Sequence, residues 1–256
     1  MFVLVTNDDG IEAAGLQALV RELALHHHVA IVAPDRERSA SGHAITMDRP
    51  LRARQVAHPA GLAWAVSGTP GDCVKLALGA LLPQRPDVVI SGINRGPNLG
   101  TDVFYSGTVA AAVEGVFAGL PALAVSLAAY DSDSDYSVAS RVARSVAQRF
   151  VQKPALAQIL LNINIPALPI TKIKGVSITR LGIRRYRETF ETRQDPRGQT
   201  YYWLVGEPMA DADLSRDTDI AAVAEGRISI TPLRLDLTDY QHLATLKAEY
   251  EGHFDI

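Results

Sequence analysis

Asp8 and Asp9 stand side by side, directly after the apolar run "FVLVT" (2–6) and directly before Gly10. Adjacent carboxylates repel, and each makes the other harder to ionise unless a counter-charge is near. A divalent cation is the usual remedy, and carboxylate and amide oxygens suit Mg2+, Mn2+ or Ca2+ rather than zinc. The plainer alternative is acid at the start of a helix, where the helix dipole favours negative charge. Asp-Asp-Gly by itself does not separate the two. A second polar stretch, 35–50, offers the Ser39 and Ser41 hydroxyls, the Arg36 and Arg38 charges, and His43, which could titrate near neutrality. Alone it reads as a solvated loop.

A third stretch, "SGINRGPNLGTDVFYSGT" (91–108), sets Asn94, Asn98, Asp102, Ser106 and Thr108 among glycines. Glycine lets backbone approach a ligand closely, and asparagine supplies an oxygen for a metal or an NH2 for an anion. "YSGT" opens a helical pattern, so the free N–H groups of Gly107 and Thr108 are suited to a phosphate, with Ser106 or Thr108 as the cap. No G-x-G-x-x-G follows any strand, so this is not a dinucleotide fingerprint. An acid pair for a cation plus a helix N-terminus for an anion points to phosphoryl chemistry. There a cation polarises the phosphate and lowers the pKa of water, and fixed donors stabilise charge on the equatorial oxygens.

These loops matter together only if the elements between them bring them to one place. Short apolar runs at 2–6, 29–34, 63–68, 87–92 and 121–127 predict strands, most of them buried on both faces. Between them, Leu16, Leu19, Val20 and Leu23 predict a helix over 13–25, Thr69-Pro70 opens one over 71–82, and Val109, Val113, Val116 and Phe117 share one face of another over 108–119. This alternation predicts an α/β fold, a mostly parallel sheet with helices on both faces and ligands outside the carboxyl ends of its strands. The loops at 7–12, 35–50 and 92–107 all follow strands and should share that rim. Beyond about 130 the pattern changes. A helix is expected within 131–152, a strand at 159–166, an extended hairpin or arm at 176–206 turning at Asp195-Pro196-Arg197-Gly198, and a late strand at 227–238 that rejoins the sheet. We expect a catalytic core at 1–130 and a C-terminal part at 131–256, within one structural domain.

The 256 residues are 47% hydrophobic and 21% charged, ordinary for a globular chain, and the net charge of −3 gives no basic field for a nucleic-acid polymer. No apolar run nears the roughly 20 residues that span a bilayer. "MFVLVTNDD" lacks a signal peptide's basic start, and the single cysteine, Cys73, cannot form an internal disulfide. A cytoplasmic protein with no membrane association is expected.

Several long segments, in order, resemble the SurE survival-protein family: "TNDDG", "APDRERSASGHAIT", "SGTPGDCV", "SGINRGPNLGTDVFYSGTVAAAVEG", and later "DPRG", "YYWLVG" and "EGRISITPL". The resemblance spans nearly the whole chain. It implies a metal-dependent 5′/3′-nucleotidase that hydrolyses nucleoside monophosphates, with short polyphosphate as a further substrate. It implies a Rossmann-like three-layer fold whose C-terminal hairpin arm joins homodimers or homotetramers. It also implies one Mg2+ or Mn2+ per subunit on Asp8, Asp9, Ser39 and Asn94, a phosphate on Asn98 and the Ser106-Gly107-Thr108 turn, and one aspartate, preferentially Asp8, orienting the attacking water. His43, Asp102 and Tyr105 are candidates to line the pocket. The chain departs from the family pattern at Ala40, where glycine often follows the serine, at Gly71, where alanine is common, and at Ala110, where glycine is common.

Two rivals fit less well. A receiver-type signalling module also places an acid pair after its first strand, but needs a phosphoacceptor aspartate after the third. Only Asp48 stands near there, in an arginine-rich stretch. An aspartyl-nucleophile phosphatase needs D-x-D-x-[TV], which "DDGIE" does not match. Ser39 as a direct nucleophile lacks an evident His–Asp pair to activate it.

Overall fold

A computed structural model describes residues 1–131, 133–153, 156, 159–209, 213 and 215–252. Its centre is a sheet of nine strands. The strands β1 (Phe2–Thr6), β2 (His28–Pro34), β4 (Ala63–Val66), β5 (Val88–Arg95), β6 (Ala122–Ala128) and β7 (Leu160–Pro166) run parallel. Their order in the sheet is β4-β2-β1-β5-β6-β7. The chain therefore winds one way from β1 through β2 to β4, then returns to β1's other side at β5 and winds the opposite way. The switch point lies between β1 and β5, where an open α/β sheet splits at its carboxyl edge to form a crevice. Asp8 and Asp9 follow β1, and Asn94 lies at the end of β5.

Helices α1 (Ala14–Ala24) and α4 (Ser137–Val151) cover one face, packing Leu16, Leu19, Val20, Leu23, Ala143 and Phe150 against Val3, Val5 and Ile90. Helices α2 (Pro70–Leu76) and α3 (Gly107–Phe117) cover the other, over Leu4, Val32 and Val89. The four α1 residues expected on its apolar face are all buried. Thr69 caps α2 as expected, accepting from Asp72 N–H while Asp72 accepts from Thr69 N–H. The helix then widens over Ala77–Leu81, where Leu82 N–H reaches back to Ala77 C=O.

The α3 face departs from the sequence pattern at Phe117, which is exposed, while Val109 is buried and Val113 and Val116 pack against the core. Small residues bring the helix close to the sheet: a Cβ on Gly115 would fall 2.9 Å from Val89. β5 also runs three residues beyond its expected end, through a register shift at Gly92/Asn94. Gly92 has φ +131°, and a Cβ there would meet the Val125 carbonyl at 2.2 Å, so only glycine fits this bulge.

The C-terminal half divides differently from the single arm expected over 176–206. β8 (Val176–Ile178) belongs to the main sheet, parallel to β11 (Ile228–Leu233), which pairs antiparallel with β7. The arm is the separate antiparallel ribbon of β9 (Tyr186–Gln194) and β10 (Thr200–Pro208). Its turn is fixed by Asp195, whose carboxylate accepts from the N–H groups of Arg197 and Gln199. The late strand rejoins the sheet but stops at Leu233 rather than 238. Three short elements have no strong sequence signal: β3 (Ala53–Gln55), antiparallel on the β4 edge, and helices α5 (Asp219–Ala224) and α6 (Tyr240–Tyr250). Among the described residues no helix is long and apolar enough to cross a membrane.

Candidate active site

At the β1/β5 switch point a cleft of about 850 Å3 opens. Asp8, Asp9, Ser39, Asn94, Asn98, Asp102, Tyr105 and Ser106 all line it. Three loops separated by up to about a hundred residues thus meet at one rim, as the alternating pattern requires.

Asp8 is 5% exposed and packs against the start of α3. The Thr108 hydroxyl donates to Asp8 Oδ1. Gly107 makes this approach feasible, since a Cβ there would lie 2.8 Å from the Asp8 Cβ and 3.1 Å from Pro70. Asp9 Oδ2 accepts from the Arg95 N–H at 3.1 Å. Burial pushes the Asp8 carboxyl up to about 6, against the lowering pull of Thr108, and the Asp9 charge adds to the rise. Burial likewise raises Asp9, with the Arg95 N–H opposing. Neither carboxylate forms an ion pair with a lysine or arginine among the described residues. The Arg95 charge also favours ionised Asp9, but two adjacent carboxylates, one of them buried, with a single cation nearby are short of positive charge.

Among the described residues no cluster of three or more His, Cys, Asp and Glu is present. The donors that converge here are two carboxylates, a hydroxyl and an amide, all hard oxygens. That set fits Mg2+ or Mn2+ and excludes a zinc-type site. The chemistry of the donors and the uncompensated acids therefore agree with the cation expected on Asp8, Asp9, Ser39 and Asn94. Ser39 is exposed on its loop, its hydroxyl donating to Glu37 at 2.6 Å with its lone pairs still available. Asn94 donates its NH2 to the Gly96 carbonyl, which leaves the side-chain oxygen for a ligand. Ala40 next to Ser39 takes φ +55°, the left-handed region where glycine is at ease, and this explains glycine at that position in the family pattern.

The expected phosphate donors divide. Ser106 caps α3, accepting from Val109 N–H at 3.1 Å, and lines the cleft. Gly107 and Thr108 lie behind it, against Asp8. Asn98 lines the cleft but is also structural. Its side chain donates to Ser126, its N–H to Asn164, and its carbonyl accepts from Asn162 and Asn164. The second Asn98 amide proton remains for a ligand. His43 is not on this wall. It pairs with the buried Glu114 of α3 at 2.7 Å, with Lys75 on Glu114's other oxygen at 2.8 Å, and borders a neighbouring apolar groove. Arg36 does not line the cleft, and Arg38 serves the loop: its N–H donates to the Asp8 carbonyl and its guanidinium to the Ser67 carbonyl.

Sequence reasoning missed Glu37, Arg95, Tyr130, Tyr186, Leu204 and Gly206 on the cleft. Arg95 adjoins "GIN" and was within reach of the motif. The last three come from the root of the β9–β10 ribbon, and no local pattern signals that the ribbon folds back over the site.

The fold and cleft define a doubly wound α/β protein whose switch-point cleft sets carboxylate, hydroxyl and amide oxygens against a helix N-terminus. The family model for survival protein SurE matches residues 3–188. The chain is 56% identical over 250 residues to the 5′-nucleotidase SurE of Moorella thermoacetica, covering 97% of this chain and 95% of that one. It is 53% identical to the 5′-nucleotidase SurE of Pelotomaculum thermopropionicum, covering 96% and 94%. A crystal structure of the SurE protein from Aquifex aeolicus superposes with a TM-score of 0.84 at 37% identity, over 97% of this chain and 99% of that one. The chain belongs to the SurE family.

Proposed function

We propose that this protein is a metal-dependent phosphomonoesterase that hydrolyses nucleoside 5′- and 3′-monophosphates to nucleoside and phosphate. The observation that carries the reading is the Asp8–Asp9 pair, with Asp8 buried and Asp9 half-buried, raised by burial and met by no Lys or Arg ion pair among the described residues, at the switch point and against the N-terminus of α3. Its relatives' name, 5′-nucleotidase, supports the substrate class.

Asp8, Asp9, Ser39 and Asn94 would hold one Mg2+ or Mn2+, which would supply Lewis acidity toward the phosphate and make water easier to deprotonate. Thr108 holds the Asp8 carboxylate in place, and the Arg95 N–H does the same for Asp9. Asp8 also orients the attacking water. Asn98, Ser106 and the Gly107 N–H at the start of α3 hold the non-bridging phosphate oxygens, where fixed donors meet the growing negative charge, while Thr108 serves Asp8 with both its hydroxyl and its N–H. The ribbon supports self-association: a two-stranded ribbon is marginal alone, and Phe190, Tyr202 and Trp203 on it are more than half exposed. We read it as the contact of a homodimer or homotetramer, and place the protein in the cytoplasm, where the single buried Cys73 stays reduced.

The test is phosphate release from a panel of 5′- and 3′-monophosphates with Mg2+ or Mn2+, with and without EDTA. Release from AMP that EDTA abolishes supports the reading. No release from any monophosphate with either metal overturns it.

A further inference from the structure

Beside the polar groups of its three loops, the cleft carries aromatic and apolar groups. Tyr105, Tyr130 and Tyr186 contribute rings, and Leu204 reaches in from β10. Tyr105 and Tyr130 are 69% and 71% exposed, so these rings are not core residues that merely touch the cleft.

Two of the rings are fixed in place. Tyr130 lies across Gly96, where a Cβ would fall 2.7 Å from its ring, so the glycine backbone forms its seat. Tyr186 donates its hydroxyl to Asp102 Oδ2 at 2.8 Å, and Arg184 donates to the same oxygen at 2.7 Å. The Arg184 guanidinium lies over the Tyr186 ring, 5.5 Å from its centre. Arg184 does not line the cleft and Tyr186 does, so the guanidinium backs the ring from outside. Thr101 ties this strap down further, its hydroxyl donating to the Arg184 carbonyl at 2.6 Å.

Arg95 is the only cation among the described lining residues, and Asp102 is already paired with Arg184. A flat, uncharged group gains aromatic contact with the rings. The volume falls within the roughly 300–1,000 Å3 of small-molecule sites.

We propose that Tyr130 and Tyr186 form the nucleobase walls of the cleft, with Asp102 as the positioning residue for Tyr186, so that the root of the hairpin favours a leaving group that carries a flat ring over one that has none. This rests on the phosphomonoesterase reading above.

The experiment has two arms on the full-length protein. Calorimetric titration with adenosine, which has no phosphate, reads the base site without turnover. Steady-state kinetics with Mn2+ then compare AMP with glycerol 2-phosphate, which has no ring. Tyr130→Ala and Tyr186→Ala should each weaken adenosine binding ~10-fold or more and raise KM for AMP similarly, as expected for a lost base stack. KM for glycerol 2-phosphate and kcat for both should stay within about twofold. Tyr130→Phe and Tyr186→Phe keep the rings and separate loss of stacking from loss of fold. Tyr130→Phe should behave as wild type. Tyr186→Phe and Asp102→Asn should raise KM for AMP by less than the alanine variant, without a matching rise for glycerol 2-phosphate. Wild-type protein that does not bind adenosine, or alanine variants that affect both substrates equally, would overturn the proposal. Adenosine binding with no hydrolysis of AMP would instead overturn the phosphomonoesterase reading and leave the base site standing.

Discussion

Asp8 pays for its position when no cation is present. Its carboxyl titrates near 6 in the folded chain against 3.8 as a free side chain. The folded state therefore binds the proton more tightly than the unfolded state. Stability from this group is fully present below about pH 4 and is lost as pH rises through 6. The loss approaches about 3 kcal/mol, from a shift of about two pKa units. We predict that in EDTA, Asp8→Asn melts higher than wild type at pH 7 and that the gap narrows toward pH 4, read by calorimetric Tm. The same variant should lose at least ~100-fold in kcat with Mn2+, since even residues that only support metal ligands are worth 10–100-fold. Gly107→Ala should displace Asp8 and Pro70, costing about 1–3 kcal/mol in denaturant unfolding and a comparable share of activity. That Asp8, Asp9, Ser39, Asn94 and Ser106 would share one cleft was legible because chemistry-bearing types cluster after strands. The role of Thr108 was not, because a threonine at a helix start reads as a cap, and only the fold shows its hydroxyl on Asp8.

The 35–50 loop shows how an irregular element becomes fixed. Gly42 N–H donates to the Tyr105 carbonyl, Thr69 to the Ala44 carbonyl, Thr46 to Asp72, and His43 pairs with Glu114. The anchors lie on α2, on α3 and just before α3, all distant in sequence, so sequence read locally shows only a polar loop. Glu114 is the acid buried among them, 5% exposed, and ties His43 and Lys75 to α3. Both partners are substantially exposed, so solvent screening limits the pair. Glu114→Ala should cost about 1–2 kcal/mol, a Tm drop of several degrees, and should raise the Mn2+ concentration for half-maximal activity by loosening the Ser39 loop. An unchanged Mn2+ requirement would show that the loop holds its place without Glu114. The small-residue face of α3 was missed for a related reason. Periodicity marks large apolar residues, but close approach to the sheet is met by the absence of side chain at Gly115.

The parallel alternation of the first 128 residues was legible because strands buried on both faces are continuously apolar and the helices between them are periodic. The C-terminal half was less so. β8 and β11 are short strands completed by partners distant in sequence, and the ribbon's exposed apolar residues look the same whether they meet solvent or another chain. If the ribbon joins subunits, Trp203→Glu should lower the mass seen by light scattering toward that of one 27.6 kDa chain, while wild type remains a multiple of it. In the function we propose, the whole fold serves to set an acid pair and a helix N-terminus around one phosphate at the switch point. That arrangement is decided by the rate of phosphate release from AMP by metal-stripped protein as Mn2+ is added back. We predict no release without metal and a rate that saturates at one Mn2+ per chain. Stripped protein that turns over AMP at the full rate would contradict it.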